Sequence, residues 1–402
     1  MRIAILDDYQ GVALEMADWS DIAAKAHIKV FRDHVTDQDT LARRLEPFEV
    51  LCVMRERTPL SRALIERLPN LRLIVSTGSV NASIDTEAAS AQGVQVAHTG
   101  YFSAPAIEMT WALILAAARH VADEVASVRL GGWPTSIGMG LFGKKLGLLG
   151  LGRIGSEVAR IGRVFGMDVI AWSENLTTER AEEAGAKLVS KEQLFAQADV
   201  LSIHLVLSRR TRGIVDAKLL SQMKRGAVLI NTSRGPLVDE KALIQALEQG
   251  WLAAAAVDVF DVEPLPSNHP FRSAKNILPT PHIGYVVDDL YKVFYQDAAL
   301  TFESGWRPVL APKGPPGGCI CRASKVAQGR SAAGTRLVRQ QACDRRPGAS
   351  EDGHAPPRRG IYVHTHADGL WPEPGLRSPL RQTLTNERTC VGEIGARPKS
   401  ER

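Results

Sequence analysis

The chain is poor in cysteine and in aromatic residues, and it has no long apolar run. Five cysteines in 402 residues give little to build a disulfide framework from, and four of them (Cys319, Cys321, Cys343 and Cys390) fall near the C-terminal end. Only Cys52 lies in the body of the chain, inside an apolar run, where a thiol is most often a small core hydrophobe. No apolar stretch approaches the roughly 18 residues that span a bilayer, so no membrane partner is expected. The opening "MRIAILDDYQ" has one basic residue and a short run ending on Asp7 and Asp8. A secretory signal needs a longer apolar region and a small-residue cleavage site. The expectation is a cytoplasmic protein.

A strong charge of one sign is also missing from most of the chain. The net charge is +5, but Lys313 to Arg402 holds 16 Lys and Arg against 8 Asp and Glu, and the residues before it hold 33 against 36. The same stretch has 12 Gly, 9 Pro and no Phe. That composition offers too little apolar surface to offset the entropy of ordering, so 313–402 reads as a disordered basic tail. It has no aromatic platform or motif, and no specific nucleic acid is expected as a partner. A lineage extension and a reading-frame shift near codon 311 are both open as its origin.

What is present is alternation. "RIAILDD", "IKVFRD", "EVLCVMRE", "LRLIVST" and "VQVAHT" read as strands separated by amphipathic stretches, a small α/β unit. Then "AIEMTWALILAAARHVADEVASV" reads as one helix, apolar nearly all round near Trp111, which must be covered on more than one side. From Lys144 to Ile283 the runs "KLGLLG", "DVIAW", "DVLSIHL", "AVLINT", "AAAAVDV" and "NILPT" alternate with helical stretches. Continuous apolar strands joined by helices imply a parallel sheet covered on both faces. Residues 287–306 form a further amphipathic helix.

"LGLLGLGRIG" places Gly150, Gly152 and Gly155 between a strand and a helix. Gly150 permits the tight turn, Gly152 lets a pyrophosphate approach the backbone, and Gly155 lets helix and strand pack closely. The helix start, with Arg153 and Ile154, offers amide donors and a positive dipole to the phosphates. At the end of the next strand, where an acidic residue usually bonds the ribose, stands Ser173, followed by Glu174. Serine does not repel a 2′-phosphate, but no Arg or Lys stands beside it and Glu174 opposes one. The reading is NAD, with NADP as the alternative.

Three polar residues follow late apolar runs: Arg234 in "VLINTSRGPLVD", Glu263 in "VDVFDVEP" and His282 in "PTPHIG". Each alone has a bland reading as a surface charge, a turn cap or a structural imidazole. Together they match what reduction of a 2-oxo acid needs. Histidine exchanges protons near neutrality, a neighbouring carboxylate favours imidazolium and orients the ring, and arginine anchors a carboxylate bidentately.

These motifs, "LGLLGLGRIG", "LINTSRGPLVDE", "AAAVDVFDVEPLP" and "TPHIGY" in this order, resemble the D-isomer-specific 2-hydroxyacid dehydrogenase family over about residues 1–310. The resemblance implies two Rossmann-like doubly wound parallel-sheet domains, the dinucleotide domain (98–283) inserted in the substrate domain (1–97 and 284–312). It implies Arg234, Glu263 and His282 as catalytic residues and Asp258 as the carboxamide-binding aspartate. Thr232 and Ser233 fall at the cofactor, the backbone of Ser79 and Val80 at the substrate carboxylate, and Arg55 at a substrate phosphate. It also implies a homodimer paired through the dinucleotide domain. Phosphoglycerate dehydrogenase-like chemistry is favoured, with glyoxylate or hydroxypyruvate reduction as the alternative. "TGSVNASID" departs from the family's commoner GVGxDNID substrate loop, and Ser173 from its usual aspartate. From another class, a nucleotide-sensing scaffold like the corepressors similar to this family keeps the same residues.

Overall fold

The computed structural model describes residues 1–303; the segment read as a disordered tail lies outside them. The first domain is a parallel sheet of β1 (Arg2–Ile5), β2 (His27–Val30), β3 (Val50–Val53), β4 (Leu73–Ser76) and β5 (Gln95–His98), ordered β2-β1-β3-β4-β5. β3 and β4 are buried at every position. Successive side chains of a strand point to opposite faces. Val50 and Cys52 accordingly enter one apolar cluster, and Leu51 and Val53 the other. Burial pushes the Cys52 thiol up to about 12, so it is an inert core group as expected.

The second domain is a seven-stranded parallel sheet of β6 (Lys145–Leu149), β7 (Asp168–Trp172), β8 (Lys187–Leu188), β9 (Val200–Ile203), β10 (Val228–Asn231), β11 (Ala254–Val257) and β12 (Ile277–Pro279). Its order is β12-β11-β10-β9-β6-β7-β8. β8 was not anticipated, because two residues cannot show alternation. The order reverses between β6 and β9, and ligands of doubly wound sheets bind above such a point. The helix Asp288–Glu303 then returns to the first sheet, packing Leu290, Tyr291, Phe294 and Tyr295 against Ile3, Val50, Cys52 and Val75. Phe294 and Tyr295 are fully buried. Truncating a buried aromatic of this kind costs about 3–5 kcal/mol, so the first domain depends on chain that arrives after the second is complete.

Among the described residues, seven helices begin on Asp37, Ser61, Asp85, Thr177, Ser190, Asp216 or Asp239. Each side chain accepts from the amide three residues on. A cap of this type satisfies an amide that has no partner within the helix.

One expectation is corrected. The stretch from Ala104 to Arg129 is two helices, Ala104–Ala118 and Val121–Arg129, with His120 between them at φ +49°. Trp111, Leu113 and Ile114 of the first are buried in the second domain, and Trp111 stacks on Phe165 at 4.9 Å. The second helix has no buried residue. Trp111 is thus covered from within the domain. No described helix is long and apolar enough to cross a membrane.

Candidate active site

Register places the site. Leu149 pairs with Trp172 and Ile203, Ile203 neighbours Asn231, Asn231 neighbours Val257, and Val257 neighbours Pro279. The residues that follow these strand ends, Ser173, Gly150, His204, Thr232, Asp258 and Thr280, therefore form one row along the carboxyl edge of the sheet.

In the middle of that row the three glycines differ in what they allow. Gly150 has φ +107°, and a Cβ there would fall 2.5 Å from the His204 carbonyl oxygen. At Gly155 a Cβ would fall 2.2 Å from the Gly150 oxygen. A Cβ on Gly152 would meet nothing within 4 Å. Two glycines are thus required by the protein's own packing, and the third faces open space. Gly152 also starts the helix Arg153–Val164, which has no side-chain cap, unlike the seven above. Uncapped amides and a helix dipole beside open space fit the pyrophosphate of a dinucleotide. Arg153 is exposed there, and Ile154 is half-buried against the core.

Around this loop, Ser173 is half-buried and Glu174 exposed. Thr232 shares a hydroxyl contact of 2.8 Å with Thr110, tying the buried helix to the end of β10. Ser233 donates to the Ile203 carbonyl at 2.7 Å. His204, which sequence reasoning passed over, lies under the loop with Nε2 2.9 Å from the Ser202 hydroxyl. Burial lowers its pKa to about 4, so it is a neutral structural imidazole.

Glu263 and His282 are brought together: Glu263 Oε2 lies 2.6 Å from His282 Nδ1. The other Glu263 oxygen accepts the Phe260 amide at 3.0 Å. Burial works against its ionisation, but the hydrogen bond and charge of His282 hold the Glu263 carboxyl below its ordinary range. An ionised carboxylate only accepts, so the hydrogen sits on Nδ1 and Nε2 is left as the nitrogen that exchanges a proton. Asp258 builds the turn that carries the ring. Its carboxylate, 1% exposed, accepts from Thr280 Oγ1 at 2.6 Å and from the amides of Ile283 and Gly284 at 2.9 and 2.7 Å. Three of its roughly four acceptor sites are thereby filled. Burial raises the Asp258 pKa despite those donors.

Arg234 stands on a neighbouring loop and is paired with neither Glu263 nor His282. Nη1 donates to the Ser233 carbonyl at 2.7 Å, and Nη2 donates to Glu56 Oε1 of the first domain at 2.9 Å. Gly235 follows it because a Cβ there would lie 2.1 Å from the Phe260 carbonyl carbon. The turn after the arginine presses directly on the segment leading to Glu263.

From the first domain, Arg55 has φ +52°, lies 5.1 Å from the Tyr101 ring and stands 3.7 Å from Glu56. Ser79 and Val80 are exposed on their loop, Val80 by 68%. Glu56 and Arg57 were missed, although three charges in a row after the apolar run of β3 are an audible signal in "MRERT". Among the described residues, no group of His, Cys, Asp and Glu is arranged to hold a metal ion.

Comparison with known proteins agrees with this fold. Residues 111–284 match the model of the D-isomer specific 2-hydroxyacid dehydrogenase NAD binding domain. The glyoxylate reductase of Aeropyrum pernix is 44% identical over 229 residues, 54% of this chain and 68% of that one. The D-3-phosphoglycerate dehydrogenase of Methanocaldococcus jannaschii is 36% identical over 63% of this chain, which spans about half (49%) of that longer protein. A crystal structure of phosphoglycerate oxidoreductase from Vibrio cholerae superposes with a TM-score of 0.71 at 39% identity, covering 76% of this chain and 99% of that one. The chain belongs to the D-isomer specific 2-hydroxyacid dehydrogenase family, NAD-dependent oxidoreductases acting on CH–OH donors.

Proposed function

We propose that this protein interconverts a short D-2-hydroxy acid and its 2-oxo acid, with His282 Nε2 giving or taking the proton. The observation that carries the reading is the 2.6 Å contact between Glu263 and His282 at the edge of the sheet bearing the glycine loop. A bound nicotinamide supplies or accepts the hydride. Arg234 holds the substrate carboxylate with the backbone of Ser79 and Val80, and Glu263 orients the ring by accepting from Nδ1. Asp258 fixes the turn carrying His282, with one acceptor site left for the cofactor's carboxamide. On this reading residues 1–97 with the segment from 284 hold the substrate, and 98–283 hold the dinucleotide; the expected extension of that segment over 304–312 lies outside the described residues.

Two substrate readings differ in charge. Arg55 alone suits a phosphorylated 2-oxo acid, as in the phosphoglycerate dehydrogenase relatives. Its pairing with Glu56 favours a singly charged acid of the glyoxylate or hydroxypyruvate type. The test is NADH oxidation with glyoxylate, hydroxypyruvate and a phosphorylated 2-oxo acid. Turnover of the first two supports the reading, and no turnover with any of the three refutes it, leaving a nucleotide-sensing role.

The protein acts as a cytoplasmic homodimer on the same reading. Val125, Val128, Leu130, Trp133, Ile137 and Phe142 are all exposed, Ile137 by 96%. They follow the buried helix closely in sequence, and an apolar series of this kind marks an association surface. Sedimentation at micromolar concentration gives a dimer, and Trp133→Glu with Ile137→Glu a monomer.

A further inference from the structure

The loop after β3 puts a carboxylate between two arginines that the proposed function assigns to substrate anions. Glu56 Oε1 accepts from Arg234 Nη2 at 2.9 Å, and Glu56 Oε2 lies 3.7 Å from Arg55 Nη2. One arginine comes from each domain, so the carboxylate bridges the cleft. The Glu56 and Arg234 side chains are 25% and 37% exposed, which leaves room for a small anion to reach them. Burial opposes ionisation of Glu56, but the charges of Arg234 and Arg55 hold its carboxyl below the ordinary range. It is a full negative charge at neutral pH.

We infer that Glu56 is a built-in counter-ion that sets substrate specificity, selecting singly charged 2-oxo acids over doubly charged ones. The inference rests on the proposed role of Arg234 and deepens it. A substrate carboxylate must compete with Glu56 for the guanidinium, and Glu56 cancels one of the two positive charges facing the cleft. A single carboxylate can still displace it at modest cost. A second negative group arriving at Arg55 meets a pair already neutralised, and the carboxylate displaced from Arg234 remains nearby to repel it. The arginines alone attract anions, while the glutamate rejects the more highly charged ones, so discrimination comes from a repulsive element.

Glu56→Gln removes the charge and keeps the amide near both arginines. It should lower KM for glyoxylate and raise the ratio of kcat/KM for a phosphorylated 2-oxo acid over glyoxylate by roughly tenfold, the scale of one half-exposed charge pair. Glu56→Asp keeps the charge and should keep the wild-type ratio. An unchanged ratio, or equal losses on both substrates, overturns the inference and leaves Glu56 as a support for Arg234. A second measurement does not need turnover. Oxamate and oxalate have nearly the same shape and carry one and two charges, and their binding to the full chain with NADH can be followed by calorimetry. Glu56→Gln should tighten oxalate more than oxamate; equal changes refute the inference. If the wild type turns over no 2-oxo acid but this charge-dependent tightening is seen, the proposed function fails and the counter-ion stands.

Discussion

Arg57 Nη2 donates to the main-chain carbonyl of His282 at 3.0 Å, across 225 residues of sequence and from the other domain. Its Nε donates to the Tyr285 hydroxyl, and the guanidinium lies over the Tyr9 and Tyr285 rings at 5.0 and 5.4 Å. His282 is held at φ +53°, a left-handed conformation that most residues with a side chain avoid. A backbone of that kind persists only when its surroundings over-determine it. Arg57 and Asp258 do so from opposite domains.

On the proposed function, Arg57 is a positioning residue for His282. Arg57→Ala should lower kcat by up to about 10²-fold, the scale for misplacing a catalytic group by about an ångström, with NADH affinity nearly unchanged. Arg57→Lys cannot make both contacts in a fixed fork and should recover only part of the rate. Stopped-flow turnover with cofactor titration by fluorescence separates the two quantities. A loss confined to KM would instead place Arg57 on the substrate.

Proton exchange gives a prediction in pH. The Glu263 carboxyl is held below its ordinary value of 4.5, so the carboxylate is present through the neutral range. Its stabilising contact is complete above the unfolded value and lost only as pH falls through the lower folded one. Activity should therefore fall at acid pH, as Glu263 protonates and releases the ring. Glu263→Gln keeps the shape but removes the carboxylate that holds Nδ1–H, and should lower kcat and take away this acid limb of kcat/KM. His282→Ala should cost about 10²–10⁴-fold in kcat with NADH binding intact. An acid limb unchanged in Glu263→Gln would show that Glu263 is uncoupled from turnover.

The glycines of the loop separate folding from cofactor binding. Gly155→Ala puts a methyl 2.2 Å from the Gly150 oxygen and should lower Tm. Gly152→Ala enters open space and should leave Tm within a degree or two of wild type. It should nevertheless weaken NADH by about tenfold or more, because the methyl stands where the pyrophosphate approaches. Differential scanning fluorimetry and fluorescence titration read the two effects. Equal Tm losses for both variants would contradict the assignment of the open face to the phosphates.

How much of this was legible beforehand follows from distance along the chain. The glycine loop, Arg234, Glu263 and His282 each follow an apolar run, and a parallel sheet in register brings the ends of such runs into one row, so local pattern sufficed. Glu56 pairs with Arg234 across 178 residues and Arg57 with His282 across 225. No local period encodes a contact made only when two domains meet. The break at His120 was hidden for a related reason. Nothing in "AAARHVADE" stops a helix, and the left-handed backbone of His120 shows only in the fold.

Ser173 follows β7 in the row that holds Gly150, so its side chain stands at the position from which an acidic residue contacts the ribose in such folds. It is half-buried, and Glu174 beside it is exposed and carries the nearest charge in sequence. A serine does not repel a 2′-phosphate, while Glu174 opposes one through solvent, where screening weakens it. Preference for NADH over NADPH should therefore be present but shallow, at most about fivefold in kcat/KM, since a screened surface charge contributes up to about 1 kcal/mol. Ser173→Asp restores a carboxylate able to accept from both ribose hydroxyls and should raise that preference by a further tenfold or more. Glu174→Gln should reduce it toward unity. The measurement is kcat/KM for both cofactors at fixed saturating 2-oxo acid and at two salt concentrations. The wild-type ratio should fall with salt and the Ser173→Asp ratio should hold. A wild-type preference for NADPH, or a Ser173→Asp variant indistinguishable from wild type, would remove Ser173 from the cofactor site.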